Sequence, residues 1–596
     1  MSTRVPHILT AGKNDARPEL YCFFDSESDP QPDGTHDLYL VCANFVDKRR
    51  CIDTWKDYLE DDPGKRFWKE LTTFPQPGDK LVCYAHNAGY DILVTGGIVE
   101  LAKHGFRVVS WFEKGNVFLM EFRSHYSSIK IVSTTNIYSG TLKKLGELFG
   151  VPKQDFDVFS KNHRAAVPYC MQDVRIIKVA MEAYYDFIFS HGYGKVMDTI
   201  SGQAFFTFRK KFMEHEIFIH NHPKVLKLER AGFYGGRVEC FQKGKLTGLI
   251  YYLDVNSMYP FCMRTYPVPV KYRYYRKKCT IKQLAGFLQE YLVMARVVIE
   301  TNVPWYPFRK NNRLVFPIGT FETVLSTPEL KIAIEQGHIK EVKETALYDG
   351  EVIFEQYVDS FYTARREAIA AGDNLRSTMY KLFMNGLYGK FGQMEEEWEL
   401  ICDAPYNEIS VEEVFNMETK KVDTYKTFGG SRFKKGDVHD AFNAFPAVTA
   451  HVTAYARCLL YTYVLQAGRE ETFYCDTDSL FVSQRGFDRL QSKIDTGLLG
   501  YLKLEKTSDN VRLYAPKDYV FGDEIKQKGV KKSAKCLNEE RTEFEQEQWP
   551  KVTGQIRKGN LTTYQTKKMH KQLTREYNKG VINTDQSISP FELTIN

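Results

Sequence analysis

The stretch FYCDTDSLFV, residues 473–482, sets two acids inside an otherwise apolar run. Phe473, Tyr474, Leu480, Phe481 and Val482 have the composition of a buried strand pair, with Asp476 and Asp478 in its middle. Ionised carboxylates in apolar surroundings are costly unless something positive meets them. In a strand, residues i and i+2 share a face, roughly 7 Å apart, and a hairpin turn brings them closer. Two like charges so placed repel unless one is protonated or a cation lies between them. A plain Asp-Thr-Asp turn with side chain–backbone bonds is the simpler alternative. A second apolar run, GLIYYLDVNSMYPFCM (248–263), also ends on an acid, Asp254, before a turn expected at Tyr259-Pro260. Three carboxylates on adjacent strand ends make an oxygen-rich site for two Mg²⁺ ions. Such a pair stabilises the attacking and leaving oxygens of a phosphoryl transfer.

Working outward, DNLRSTMYKLFMNGLYGKFG (373–392) predicts a helix stopped by glycine. Lys381, Asn385 and Tyr388 fall at i, i+4 and i+7 and share one face. A lysine there can hold a triphosphate and a tyrosine can pack on a base; a snorkelling lysine beside a half-buried tyrosine is the alternative. AVTAHVTAYARCLLYTYVL (447–465) is again helical, whereas 392–446 is polar, shows no clear core face and is expected to be an excursion. Upstream, ELYCFFDSES (19–28) and KLVCYAHN (80–87) predict strands, AGYDILVTGGIVELAKHG (88–105) one helix, and YCMQDVRIIKVAMEAYYDFI (169–188) another. Acids again gather at element ends. Asp25 and Glu27 are i and i+2 on a strand, Asp91 follows Asn87, and Tyr169 and Asp173 lie one helical turn apart. Four acids on three elements suggest a second two-metal site, this one for hydrolysis.

These motifs carry a resemblance. DVNSMYP (254–260), KLFMNGLYGKF (381–391) and YCDTDS (474–479) are similar, in order, to the three polymerase motifs of family B DNA polymerases. FYGGRVECF (233–241), TAYAR (453–457) and KDY (517–519) resemble motifs of the protein-primed branch, which copies linear phage and viral genomes from a terminal protein. The N-terminal set resembles the three motifs of DnaQ-like 3′–5′ exonucleases. The resemblance runs from about residue 20 to about residue 532.

The resemblance implies roles. Asp254 and Asp478 bind metal with Asp476 in support. Tyr259 stacks under the incoming sugar and excludes a 2′-hydroxyl, and Tyr388 walls the nascent base pair. Lys381 binds the triphosphate with Asn385 on its face, and Arg365, or its neighbour Arg366, is a second phosphate contact. Phe233, Tyr234, Gly235 and Gly236, with Gly389, Thr453 and Arg457, contact DNA, and Lys517 and Tyr519 hold the primer end. The family's linker motif begins with tyrosine; Phe233 keeps the ring and loses the hydroxyl, unless Tyr234 substitutes for it. In the N-terminal set, Asp25, Glu27, Asp91 and Asp173 bind metal and Tyr169 orients the attacking water. Asn87, Tyr90, Thr141 and Leu142 contact single strand. Lys153 matches the catalytic lysine or is a surface lysine.

The expected fold class is multidomain α/β and α+β, an RNase H-like exonuclease domain followed by a right-hand polymerase with a ferredoxin-like palm, helical fingers and a small thumb. Expected boundaries are the exonuclease at 1–195, palm at 196–267 and 439–540, fingers at 357–391 and thumb at 541–596. Two terminal-protein-region insertions are expected: one at 268–356, because 126 residues separate Asp254 from Lys381, and one over the polar stretch 392–438. Expected cofactors are two Mg²⁺ or Mn²⁺ per active site. Expected partners are template-primer DNA, dNTPs, a terminal protein and a single-stranded DNA-binding protein, on a monomeric enzyme. The alternatives are a DNA-primed or primer-independent relative, a nuclease with a DNA-binding platform, and a replication scaffold.

Composition agrees. The 596 residues exceed one core, and 43% hydrophobic with 26% charged content is ordinary for a globular chain. No apolar run reaches 18 residues, and the start lacks a signal-peptide core, so no membrane span is expected and the host cytoplasm fits. Twelve cysteines without a CxxC pair indicate neither a zinc site nor a disulfide framework. Net charge is only +6, but 551–580 holds eight Lys/Arg against one acid, and 525–535 holds five lysines. Such runs are solvated surface or a groove that tracks a nucleic-acid backbone.

Overall fold

The computed structural model describes residues 4–156 and 162–595. The N-terminal domain is built on a seven-stranded sheet in the order Ile52–Leu59, His36–Asp47, Leu20–Pro30, Lys80–Ala85, Ser128–Ser133, Val117–Arg123, Arg107–Lys114. The three central strands run parallel and the outer pairs antiparallel. Parallel strands are covered on both faces, hence the unbroken apolar runs LYCFF and LVCYA. Helix Ala166–Ser190 covers one face with Val174, Ile177 and Met181, while Phe67, Trp68 and Leu71 of Pro63–Thr73 fill the other. The helix expected over 88–105 is two, Ala88–Val94 and Gly97–Lys103. Gly96 breaks it at φ +67°, and a side chain on Gly97 would meet the Trp68 ring at 2.4 Å.

The acids of the opening stretch lie on a five-stranded antiparallel sheet, in the order Val238–Cys240, Thr472–Asp476, Ser479–Val482, Ile250–Val255, Leu502–Ser508. Helix Pro446–Ala467, buried almost all round, backs it. The turn after Asp254 is at Asn256-Ser257, with Ser257 at φ +47°, and not at Tyr259-Pro260. Pro260 sits in the first turn of helix Met258–Thr265, where its missing N–H leaves no bond unmade. Helices Glu355–Ala370 and Asn374–Gly386 pack together beside this sheet, followed by the short helix Tyr388–Phe391.

Residues 268–351 form most of a second seven-stranded sheet, with its own core around Leu284, Val293, Phe321 and Leu330. Its edges are His7–Ile8 and Glu592–Leu593. The excursion after residue 392 is a four-stranded antiparallel sheet, in the order Met394–Asp403, Ser431–Asp440, Lys421–Phe428, Ser410–Asn416. Its sequence shows no core face because its core is shared with another domain. Trp398, Phe428 and Phe433 lie 4.8–5.5 Å from the Trp111 ring of the N-terminal sheet. The Val108 N–H donates to Gly429 O at 2.9 Å, and the Ser431 hydroxyl donates to Val108 O at 2.7 Å. The last stretch carries the sheet Lys535–Cys536, Glu543–Gln548, Lys567–Gln572 and the helix Val552–Arg557. Among the described residues no helix is long and apolar enough to cross a membrane.

Candidate active sites

Asp476 ends one strand and Asp478 occupies the tight turn before the next. The Asp478 N–H donates to Asp476 O at 2.7 Å, and Thr477 between them sits at φ +64°. That is a three-residue turn in a conformation β-branched residues rarely adopt. Two bonds hold it: Thr477 N–H to Arg237 O, and Val255 N–H to Asp478 O, both 2.7 Å. Asp254 lies across from Ser479 on the neighbouring strand.

The three acids divide by partner. Asp476 accepts from the Tyr474 and Thr477 hydroxyls, both at 3.1 Å, and pairs with Lys517 Nζ at 3.3 Å. Lys517 N–H in turn donates to the Tyr474 hydroxyl at 3.0 Å. Asp254 is pushed up to about 7 by burial and then by the Asp478 and Glu505 charges, with Lys381 and Lys503 opposing. Asp478 is pushed up to about 6 by burial and then by Asp476, with Lys517 and Lys381 opposing. Two desolvated, mutually repelling, all-oxygen donors fit a hard divalent cation.

Lys381, Asn385 and Gly389 are exposed, and Tyr388 stacks on Tyr259 with centroids 4.9 Å apart and planes 8° apart. Gly236 gives that pair room, because a Cβ there would lie 2.9 Å from the Tyr259 hydroxyl and 3.0 Å from Thr477. Arg365 is half-buried, and its Nε has no hydrogen-bond partner among the described residues. Phe233 is half-buried and Gly235 exposed.

Four expected DNA contacts on this side are turned inward. Tyr234 is buried, with its hydroxyl on Thr323 at 3.1 Å, so it does not replace the hydroxyl Phe233 lacks. Thr453 bonds its own helix at Ala450 O, 3.1 Å. Arg457, 3% exposed, pairs with Glu329 at 2.7 Å and donates to the carbonyls of Tyr234 and Gly235 at 2.9 and 3.0 Å. Both sit on the buried side of the backing helix, away from its one open stripe at Tyr455, Leu459, Thr462 and Leu465; Arg457 instead shapes the loop carrying Gly235. The Tyr519 ring packs on Tyr474 and Phe481, and only Lys517 of its motif reaches the acids.

In the N-terminal domain, Asp25, Glu27, Asp91 and Asp173 form a second cluster. Burial and then Asp173 push Asp25 well above its usual range, and push Glu27 up to about 8. Burial pushes Asp91 up to about 7 against a bond from the Ser26 hydroxyl at 2.7 Å. Lys153 pairs with Asp173 and lies 4.4 Å from the Tyr169 ring centroid. It is therefore part of the cluster and not a free surface lysine. Burial pulls Lys153 down, but Asp173 and Tyr169 leave it raised overall. Asp173 Oδ1 is buried without a partner among the described residues.

Asn87 and Thr141 are exposed, Thr141 also capping helix Leu142–Leu148. The Tyr90 hydroxyl meets Ser28 at 2.6 Å, and its ring stands edge-on to Tyr564 and Trp549 at 4.8 and 5.6 Å. Leu142 is a core residue, 8% exposed, and not a strand contact. Sequence reasoning missed Tyr474, Ser26 and Cys170. Tyr474 had a signal, being two residues before Asp476 on the same strand face.

A profile described as DNA polymerase type B, organellar and viral, matches residues 160–463. The chain belongs to that family. The polymerase is 27% identical over 487 residues to the DNA-directed DNA polymerase of Enterobacteria phage PRD1, covering 78% of this chain and 77% of that one. It is 25% identical to a probable DNA polymerase of Neurospora intermedia over 54% of this chain and 33% of that protein. In structure it matches phi29 DNA polymerase complexed with primer-template DNA and incoming nucleotide substrates, with TM-score 0.67 and 15% identity, over 94% of this chain and 100% of that one. The fold is thus a multidomain right-hand polymerase preceded by an exonuclease domain, and the enzyme is a DNA-directed DNA polymerase. Family B polymerases use divalent metal ions, which the donors at Asp254 and Asp478 suit.

Proposed function

We propose that the chain copies a DNA template with two-metal nucleotidyl transfer at Asp254 and Asp478. It proofreads 3′–5′ at Asp25, Glu27, Asp91 and Asp173, and starts a linear viral genome from a terminal protein. The observation that carries this reading is the pairing of Asp254 with Asp478, repelling and with no ion pair of their own among the described residues, on a sheet faced by Lys381 and the stacked Tyr259–Tyr388. When bound at these acids, Mg²⁺ or Mn²⁺ supplies Lewis-acid stabilisation of the attacking and leaving oxygens. A primer 3′-hydroxyl, or a hydroxyl of the terminal protein, attacks the α-phosphate in line, forming one P–O bond as the bond to pyrophosphate breaks. Lys381, Asn385 and Arg365 hold the triphosphate, and Tyr259 lies where a 2′-hydroxyl would intrude. Lys517, fixed by Asp476 and Tyr474, holds the primer end. Mispaired ends fray more cheaply than paired ones and pass to the second cluster, where Tyr169 and Lys153 orient water.

Protein priming is supported by the folded insertion at 268–356. Strand displacement is assigned to the 392–438 sheet, which stands against the exonuclease domain. A labelled primer–template with Mg²⁺ tests the two centres. Extension with four dNTPs and shortening without them is expected; shortening in both lanes supports the nuclease alternative. Deleting 392–438 is expected to remove strand displacement, and unchanged displacement overturns that assignment.

A further inference from the structure

Cys170 follows Tyr169 in the exonuclease motif, and its thiol lies in the acid cluster. Cys170 Sγ is 3.9 Å from Asp25 Oδ2, and one donor atom each of Asp25, Glu27 and Cys170 lie within 4.8 Å of one another. With metal–sulfur and metal–oxygen bonds of about 2.0–2.3 Å, tetrahedral donors sit roughly 3.5 Å apart, so small side-chain shifts close the set. Asp173, one helical turn beyond Cys170 on the same face, is 1% exposed and keeps Oδ1 without a partner among the described residues. The polymerase centre differs. Cys475 adjoins Asp476, but alternation along the strand sends it to the opposite face, leaving oxygen donors only.

The geometry points to a thiophilic cation site in the exonuclease centre, in which Cys170, Asp25 and Glu27 bind Zn²⁺ or Cd²⁺ in competition with the magnesium that supports hydrolysis. The site rests on the reading of this cluster as the exonuclease centre. Thiolate donors select such cations, whereas carboxylates alone favour Mg²⁺. Binding replaces the Cys170 S–H bond by a sulfur–metal bond and releases that proton to solvent, with no change of oxidation state.

The test is a Cd²⁺ titration of the full chain without Mg²⁺, following the ultraviolet sulfur-to-cadmium charge-transfer absorption. The exposed thiols Cys51 and Cys402 are first replaced by serine. One equivalent of absorbance is expected, lost in Cys170→Ser and weakened about tenfold or more in Glu27→Gln. Cys170→Ser keeps the side-chain shape at a slightly smaller volume, and its melting profile reports folding. Absorbance that survives Cys170→Ser, or that depends only on Cys42, whose thiol lies beside that of Cys170, overturns the site, as does its absence from the parent. In Mg²⁺-supported shortening, Cd²⁺ is expected to inhibit the parent at least about tenfold more strongly than Cys170→Ser. A parent that shortens no primer in Mg²⁺ refutes the exonuclease reading, while the absorbance still decides the metal site.

Discussion

Lowering the pH from 8 to 6 should weaken metal binding at the polymerase centre far more than bulk carboxylate chemistry allows. A metal takes the ionised forms of Asp254 and Asp478, which burial and neighbouring carboxylates push up to about 7 and about 6. Treated as independent sites, both are ionised in about 90% of molecules at pH 8 and about 5% at pH 6, so half-saturation should rise about 20-fold. Ordinary aspartates, titrating near 4, would change it hardly at all over that range. The assay is Mn²⁺ binding followed by loss of the free-ion electron paramagnetic resonance signal. It uses an Asp25→Ala/Glu27→Ala chain without nucleotide, so that neither the second cluster nor a triphosphate contributes. Asp476→Asn should flatten the dependence, because Asp476 raises Asp478 and holds Lys517 to itself. A change below about threefold between pH 6 and 8 would refute the claim that burial and mutual repulsion set these acids.

Asp476→Ala with Asp478→Ala should abolish dNTP incorporation and leave 3′–5′ shortening; equal loss of both would show that the two centres are not separate. Tyr259→Val should admit ribonucleotides, and unchanged sugar selectivity removes Tyr259 from that role. Glu329→Gln strands the buried Arg457 guanidinium and should cost about 3 kcal/mol in the unit that melts with 268–356, with weaker DNA binding through the Gly235 loop; an unchanged melting profile counts against it. Chelated protein should lose stability as pH rises from about 5 to 8. Glu27, Asp91 and Asp254 keep protons in the fold that the unfolded chain has already released, so the fold binds more protons across that window. A melting temperature that rises over that range contradicts this.

The acids were legible because an ionised group inside an apolar run must be met by something, and the run itself marks a strand. What the sequence could not convey is which way a neighbouring side chain turns. Thr453 and Arg457 sit in a motif that suggests a template face, but both point to the buried side of their helix. Leu142 beside the exposed Thr141 shows the same limit at one-residue resolution. The sheet at 394–440 was illegible for another reason: its apolar partners, Val108 and Trp111, lie some 300 residues earlier, so no local pattern announces a core. The strained Thr477 left no trace either, since a β-branched residue predicts strand and not a positive φ.

The polymerase sheet draws its strands from 238–255 and 472–508, and this division orders events during synthesis. The N-terminal sheet and its acid cluster can be complete once Ser190 has left the ribosome. Asp254 meets Asp478 only about 300 residues later, roughly 15–60 s at ordinary elongation rates. Throughout most of that interval Trp111 and Val108 lack the insertion that will cover them. A growing chain therefore displays its future docking surface bare, which is where a chaperone has most to shield.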